Sequence, residues 1–111
     1  MFRHVVLWRF EDEDDSARNR EHAIQIKAGL EELVYEVHGV RKIDVHIDPV
    51  RSGDAGADMF MDSLFENRAA YLAFLESPRY VAMRKLLDSC VGERLDMDFE
   101  EDPEEGELPL D

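Results

Sequence analysis

Phe2-Arg3-His4-Val5-Val6-Leu7-Trp8-Arg9-Phe10 is the stretch that decides the fold class. Phe2, His4, Val6, Trp8 and Phe10 fall on one side of an extended chain. Arg3, Val5, Leu7 and Arg9 fall on the other, which is apolar in its middle. Side chains alternate across a strand, so a strand that is apolar on both sides needs cover on both sides. Such a strand belongs in the middle of a sheet.

Downstream the period changes. From Ser16 to about Val37, Ala23, Ile26, Leu30, Leu33, Val34 and Val37 recur at helical spacing, with Arg18, Glu21, Glu31, Glu32 and Glu36 on the other side. Asp14, Asp15 or Ser16 is positioned to cap this helix, and Gly39 to end it. Arg41 to Asp48 alternates Ile43, Val45 and Ile47 against Lys42, Asp44 and His46, which describes a half-buried strand. Pro49 stops it, and Ser52-Gly53-Asp54-Ala55-Gly56 reads as a loop.

Asp58 to Glu66 is a third strand, with Met59, Met61 and Phe65 on one side and Phe60 and Leu64 on the other. Asn67 then caps a short helix carrying Tyr71, Phe74 and Leu75. Ser77-Pro78 breaks and restarts it, with Ser as N-cap and Pro at the first helical position. The second piece runs to about Val91, Gly92 closes it, and Arg94 to Glu100 forms a last strand in which Leu95, Met97 and Phe99 alternate with Arg94, Asp96 and Asp98.

The order is βαββαβ, an α+β ferredoxin-like arrangement with a four-stranded antiparallel sheet, strands one and three central and two and four at the edges. Helices cover one face of such a sheet. Val5, Leu7 and one side of strand three then need a second cover. A second copy of the chain is the simplest one, and the result is a dimeric α+β barrel.

Composition removes several function classes. The 111 residues carry 27 acids against 13 Lys and Arg, a formal net charge of −14, which repels nucleic acid and anionic lipid. Neither a nucleic-acid nor a membrane partner is expected. Seven of the acids lie in Glu100 to Asp111, which leaves 20 against 13 bases in the body. Residues 1–100 therefore read as one domain and 101–111 as an acidic, mobile tail. The second acidic run, Glu11 to Asp15, lacks the spacing of a calcium loop.

Cys90 is the only cysteine, so no internal disulfide forms. No pair among His4, His22, His38 and His46 has ligand spacing on one helix. No metal and no cofactor is expected. With no apolar leader and no run of 18 apolar residues, the chain reads as cytoplasmic.

The opening Met1 to Phe10 resembles that of stress-responsive dimeric A/B barrel (Dabb) proteins: a basic residue, His, and an apolar strand ending in Phe. His38-Gly39-Val40 falls where that family has a Pro-Gly-Val turn. Tyr71 to Tyr80 is similar to its Tyr-x-x-His-Pro-x-His junction, and Arg94 to Glu100 to its closing strand. The resemblance spans residues 1 to 100. It implies a homodimer with a pocket between sheet and helices, lined here by His4, Trp8, Phe74 and Tyr80.

Cyclase-like members of the family use the second junction histidine as general base, with the strand-one histidine nearby. His4 matches the latter. Ser77 and Tyr80 replace the junction pair, Pro78 is retained, and Phe74 stands where the cyclases have a pocket tyrosine. A tyrosine, with a pKa near 10, does not replace histidine as a base at neutral pH. Two readings follow. The leading one is a small homodimeric protein that binds an apolar or aromatic ligand. The alternative is a cyclase- or lyase-like enzyme acting on an aromatic or polyketide-like carbonyl compound, with His4 and Tyr80 as the catalytic candidates. A third reading makes the acidic tail a docking element for a basic partner.

Overall fold

The computed structural model describes residues 1–11, 16–47 and 57–101. Along the chain run β1 (Phe2–Phe10), α1 (Ser16–Glu31), α2 (Leu33–Glu36), β2 (Val40–Ile47), β3 (Met59–Phe65), α3 (Arg68–Glu76), α4 (Pro78–Cys90) and β4 (Val91–Glu100). The sheet order is β2-β3-β1-β4, with every pair antiparallel. β1 and β3 are central, as their two-sided apolar character requires. The expected cap residues 14 and 15, the loop at 52–56 and the tail beyond residue 101 lie outside what is described, and Ser16 is the first residue of α1.

One face of the sheet carries the helices and the core. Phe2, His4, Val6, Trp8 and Phe10 of β1 are buried there, beside Met59, Met61, Ser63 and Phe65 of β3 and Val40, Ile43 and Val45 of β2. Ala23, Ile26 and Leu30 of α1, Leu33 of α2, Phe74 of α3 and Leu87 of α4 complete it. Asn67 caps α3 by accepting from the Ala70 N–H at 2.9 Å. The Ser77 hydroxyl caps α4, with Pro78 as its first residue.

The opposite face bears no element among the described residues. Leu7 of β1 and Leu95, Met97 and Phe99 of β4 share it, with exposures of 37, 67, 62 and 40%. Phe60 and Leu64 of β3 lie beside them. Towards β2 this face turns polar: Arg3 bonds Asp62 at 2.7 Å, and Lys42 lies 3.2 Å from Asp44 and 3.4 Å from Asp62.

Two boundaries differ from the periodicity. The first helix does not continue to Val37 but breaks at Glu32 between α1 and α2. There the Glu31 carboxylate accepts from the Val45 N–H at 3.0 Å, while Lys27 Nζ donates to the Val45 carbonyl at 2.7 Å and to Glu31 at 2.8 Å. The helix end is thereby tied to the outer edge of β2. Gly92 does not close α4 but lies inside β4, which starts at Val91. The Glu11 N–H donates to the Cys90 carbonyl at 2.9 Å, so pairing with the end of β1 begins where the helix stops.

Gly39 does turn the chain as expected, at φ +90. A Cβ there would also stand 2.6 Å from the Ala70 Cβ. Gly39→Ala adds left-handed strain and this clash, so it should destabilise the fold by about 2 kcal/mol or more, read as a lower urea midpoint at unchanged slope.

Candidate functional site

His4 sits in the middle of β1 and is wholly buried. The antiparallel register puts Ser63 of β3 on one side of it and Asp98 of β4 on the other. Ser63 Oγ donates to the His4 carbonyl oxygen at 2.9 Å. His4 Nδ1 bonds the Asp98 carboxylate. A carboxylate accepts and does not donate, so Nδ1 carries the proton and, in the neutral ring, Nε2 presents a bare lone pair. Nε2 is buried and has no hydrogen-bond partner in the structure.

Tyr71 of α3 packs over this pair. Its ring centroid is 5.1 Å from that of His4 and 4.8 Å from that of Phe2, and its hydroxyl donates to the second Asp98 oxygen at 3.4 Å. Burial first, and the Asp98 charge second, push its phenol up to about 12. Both effects disfavour a second negative charge, so Tyr71 is a donor throughout the physiological range.

Asp98 does not stand alone. Asp96, two residues back along β4, points to the same face, and one donor atom from each of His4, Asp96 and Asp98 lies within 4.8 Å of the others. The Asp96 side chain is 40% exposed and pairs with Arg94 at 3.1 Å. The helix-side face of β4 is therefore charged where it meets His4, and its apolar residues turn to the open face.

The four residues expected around a pocket divide into groups. Phe74 and Tyr80 meet with ring centroids 4.5 Å apart, and Tyr71 lies between this pair and His4, its centroid 6.4 Å from that of Phe74. Tyr80 is buried, and Arg84 lies one turn along α4. Burial works against the Arg84 charge, but Tyr80 and the hydrogen bond to Asp88 outweigh it and raise its pKa. Trp8 is buried four residues along β1 from His4 and lines a separate cleft of about 160 Å³ with Arg9, Glu93 and Arg94.

Asp98, Asp96 and Tyr71 were not among the expected site residues. The aspartates are placed by the antiparallel pairing of the first strand with the last, which sets residue 4 opposite residue 98 and which neither strand fixes alone. Nothing in the spacing of Tyr71 separates it from an ordinary core aromatic.

A family model described as the stress responsive A/B barrel domain, Dabb, matches residues 2–101. The chain belongs to the Dabb family. A comparison with curated proteins returned no match. Among solved structures, a dimeric protein of unknown function with a ferredoxin-like fold from Bacteroides fragilis is 22% identical, with a TM-score of 0.79 over 90% of this chain and 95% of that one. A Dabb family protein from Mesorhizobium loti is 20% identical, with a TM-score of 0.70 over 99% and 97%. The hydroxynitrile lyase from Passiflora edulis is 17% identical, with a TM-score of 0.73 over 92% and 94%. At these identities the likeness is one of fold. No helix among the described residues is long and apolar enough to cross a membrane.

In this Dabb chain the junction residue Ser77 serves as a helix cap, and the described histidine that meets a carboxylate is His4 on β1. A spectroscopic titration tests the environment built around it. One tyrosine should ionise near pH 12, and Tyr71→Phe should remove that step. Because the folded pKa is raised above the unfolded value near 10, the stabilisation it reflects is present below pH 10 and lost as pH rises towards 12. Loss of the late step in Tyr80→Phe instead would refute the assignment.

Proposed function

We propose that this Dabb protein is a homodimer that binds a small apolar or aromatic ligand with one hydroxyl group between sheet and helices, at His4. One observation carries the reading: a wholly buried imidazole, oriented through Nδ1 by Asp98, whose Nε2 has no partner. A buried polar atom without a partner costs about 1–3 kcal/mol, and a ligand hydroxyl donating to it would recover that. The surrounding rings of Phe2, Tyr71 and Phe74 favour an apolar body. Nε2 is sealed from water, so entry requires a side chain of the aromatic cluster to move, and Tyr71, held to Asp98 by a long hydrogen bond, is the one with least to lose.

The acid–base reading has its own support in the His4–Asp98 pair. A carboxylate on Nδ1 fixes the tautomer and stabilises the imidazolium that forms when Nε2 takes a proton. His4 is then the base, and Tyr71, whose hydroxyl is bonded to the same carboxylate, holds that carboxylate in position. Tyr80 has less support as a second catalytic group because its ring packs on Phe74, and it is Tyr71 that meets His4.

Thermal shift with small phenols, 4-methylphenol first, tests the site, with acetophenone, whose carbonyl cannot donate to Nε2, as the control. At about ten times Kd a ligand adds ~1.4 kcal/mol, which raises Tm by several degrees. The shift should vanish in His4→Phe and weaken in Asp98→Asn. Equal shifts in all three proteins would sink the reading. If a responsive compound is turned over, His4→Ala should abolish turnover.

The dimer rests on the open apolar face, which in a monomer would leave Leu7, Leu95, Met97 and Phe99 in water. Sedimentation should give twice the 12.9 kDa of one chain. Leu95→Asp combined with Met97→Asp should give a folded monomer, because both side chains point away from the core. A monomeric wild type overturns the proposal.

A further inference from the structure

The cluster on β4 has a feature that neither ligand binding nor acid–base work at Nε2 uses. Asp98 orients His4, but Asp96 does not, and yet its carboxylate is held on the same side of the strand. One donor atom each from His4, Asp96 and Asp98 falls within 4.8 Å of the others. Two carboxylates this close repel each other unless positive charge sits between or beside them. Arg94 supplies it to Asp96 alone, from the neighbouring position on an exposed stretch of strand.

We propose that His4, Asp96 and Asp98 form a binding site for a divalent first-row metal ion, with zinc as its probe. The donor set is one imidazole nitrogen and two carboxylate oxygens. That set suits zinc and its neighbours better than calcium or magnesium, which take oxygen donors almost exclusively. Two carboxylates and a neutral imidazole balance the double charge of the ion. Bonds of about 2.0–2.2 Å need donor separations of roughly 3–3.5 Å, so the cluster has to tighten around the ion while His4 Nδ1 and Asp98, now in hydrogen-bond contact, move apart.

The partly exposed Asp96 and Asp98, at 40 and 39%, leave the ion a path from water, while His4 supplies a buried anchor that faces them, its side chain 1% exposed. Tyr71, bonded to the other Asp98 oxygen, would orient that carboxylate from behind.

Binding also requires His4 to change tautomer. The Nδ1–H bond to Asp98 breaks, a metal–Nδ1 bond forms, and the proton is carried on Nε2, so a neutral ring loses no proton overall. A hydrogen-bond acceptor fixed at Nδ1 alone would not permit this if Nε2 were also engaged. Nε2 is buried and has no partner, so nothing on that side holds the ring to its present tautomer. The same observation that suggests a ligand also leaves the ring free to coordinate. Metal at Nδ1 and a hydroxyl donated to Nε2 need opposite tautomers, so zinc and such a ligand exclude each other, and each is tested in the absence of the other.

Calorimetric titration of zinc chloride into the chelator-treated full-length protein, in a buffer that does not bind zinc, tests the site. We expect one ion per chain, with affinity lowered at least about tenfold in Asp96→Asn. That variant should fold normally, since Asp96 is partly exposed and pairs with Arg94, two residues away on the same strand. Nitrogen-15 spectra of the imidazoles supply a second readout, which a structural effect would not produce. Zinc should move the proton of His4 from Nδ1 to Nε2. Affinity unchanged in Asp96→Asn overturns the proposal. So does a response at His22, His38 or His46 in place of His4, or the absence of stoichiometric binding.

Discussion

The antiparallel pairing of β1 with β4 is the constraint on which the rest depends. It joins residues 2–10 to residues 91–100, across nearly the whole described chain, and sets His4 against Asp98. Strand side chains have a period of two, so a slip of one residue would move Asp96 and Asp98 to the open face and drive Leu95, Met97 and Phe99 against the helices. Both ends resist such a slip. At one end the Glu11 N–H meets the Cys90 carbonyl, and the register shifts between Arg9 and Phe10. At the other, Arg3 bonds Glu101, and the chain terminus donates to the Glu101 carbonyl.

That register explains how one strand serves two purposes. The side of β4 towards the helices is charged where it meets His4, and the side away from them is apolar. In an isolated domain this leaves the apolar residues of β4 at least as exposed as its aspartates, against ordinary patterning, where apolar residues belong in the core. The inversion is stable if the charged side supports a site and the apolar side is covered by something else. A buried histidine and an uncovered sheet face are thus two expressions of one alternation.

Much of this was legible beforehand. The order of elements, the central place of β1, the caps at Asn67 and Ser77, and the turn at Gly39 all follow from local rules, because each depends on residues close in sequence. The orientation of β4 does not. Strict alternation of Leu95, Met97 and Phe99 with Arg94, Asp96 and Asp98 identifies two sides but not which one is inward. Only pairing with a strand some ninety residues away decides that. Tyr71 was hidden for a related reason, since its role comes from meeting Asp98, and helical spacing makes it one more core aromatic. The break at Glu32 is a tertiary override: Glu31 and Lys27 reach Val45, and local propensity has no view of that edge.

The same two side chains set a limit on how copies of this chain can combine. An exposed edge strand is a template on which another strand can pair, and repetition of that step leads to fibres. At Val45 both outward backbone groups of β2 are already occupied, by Glu31 and Lys27. Sheet growth past β2 would have to displace two hydrogen bonds made to charged groups. With one edge of the sheet stoppered in this way, the proposed association through the broad face has less competition from that edge. Face-to-face packing in the proposed dimer would use up the surface that drives it, so assembly through that face would stop at two.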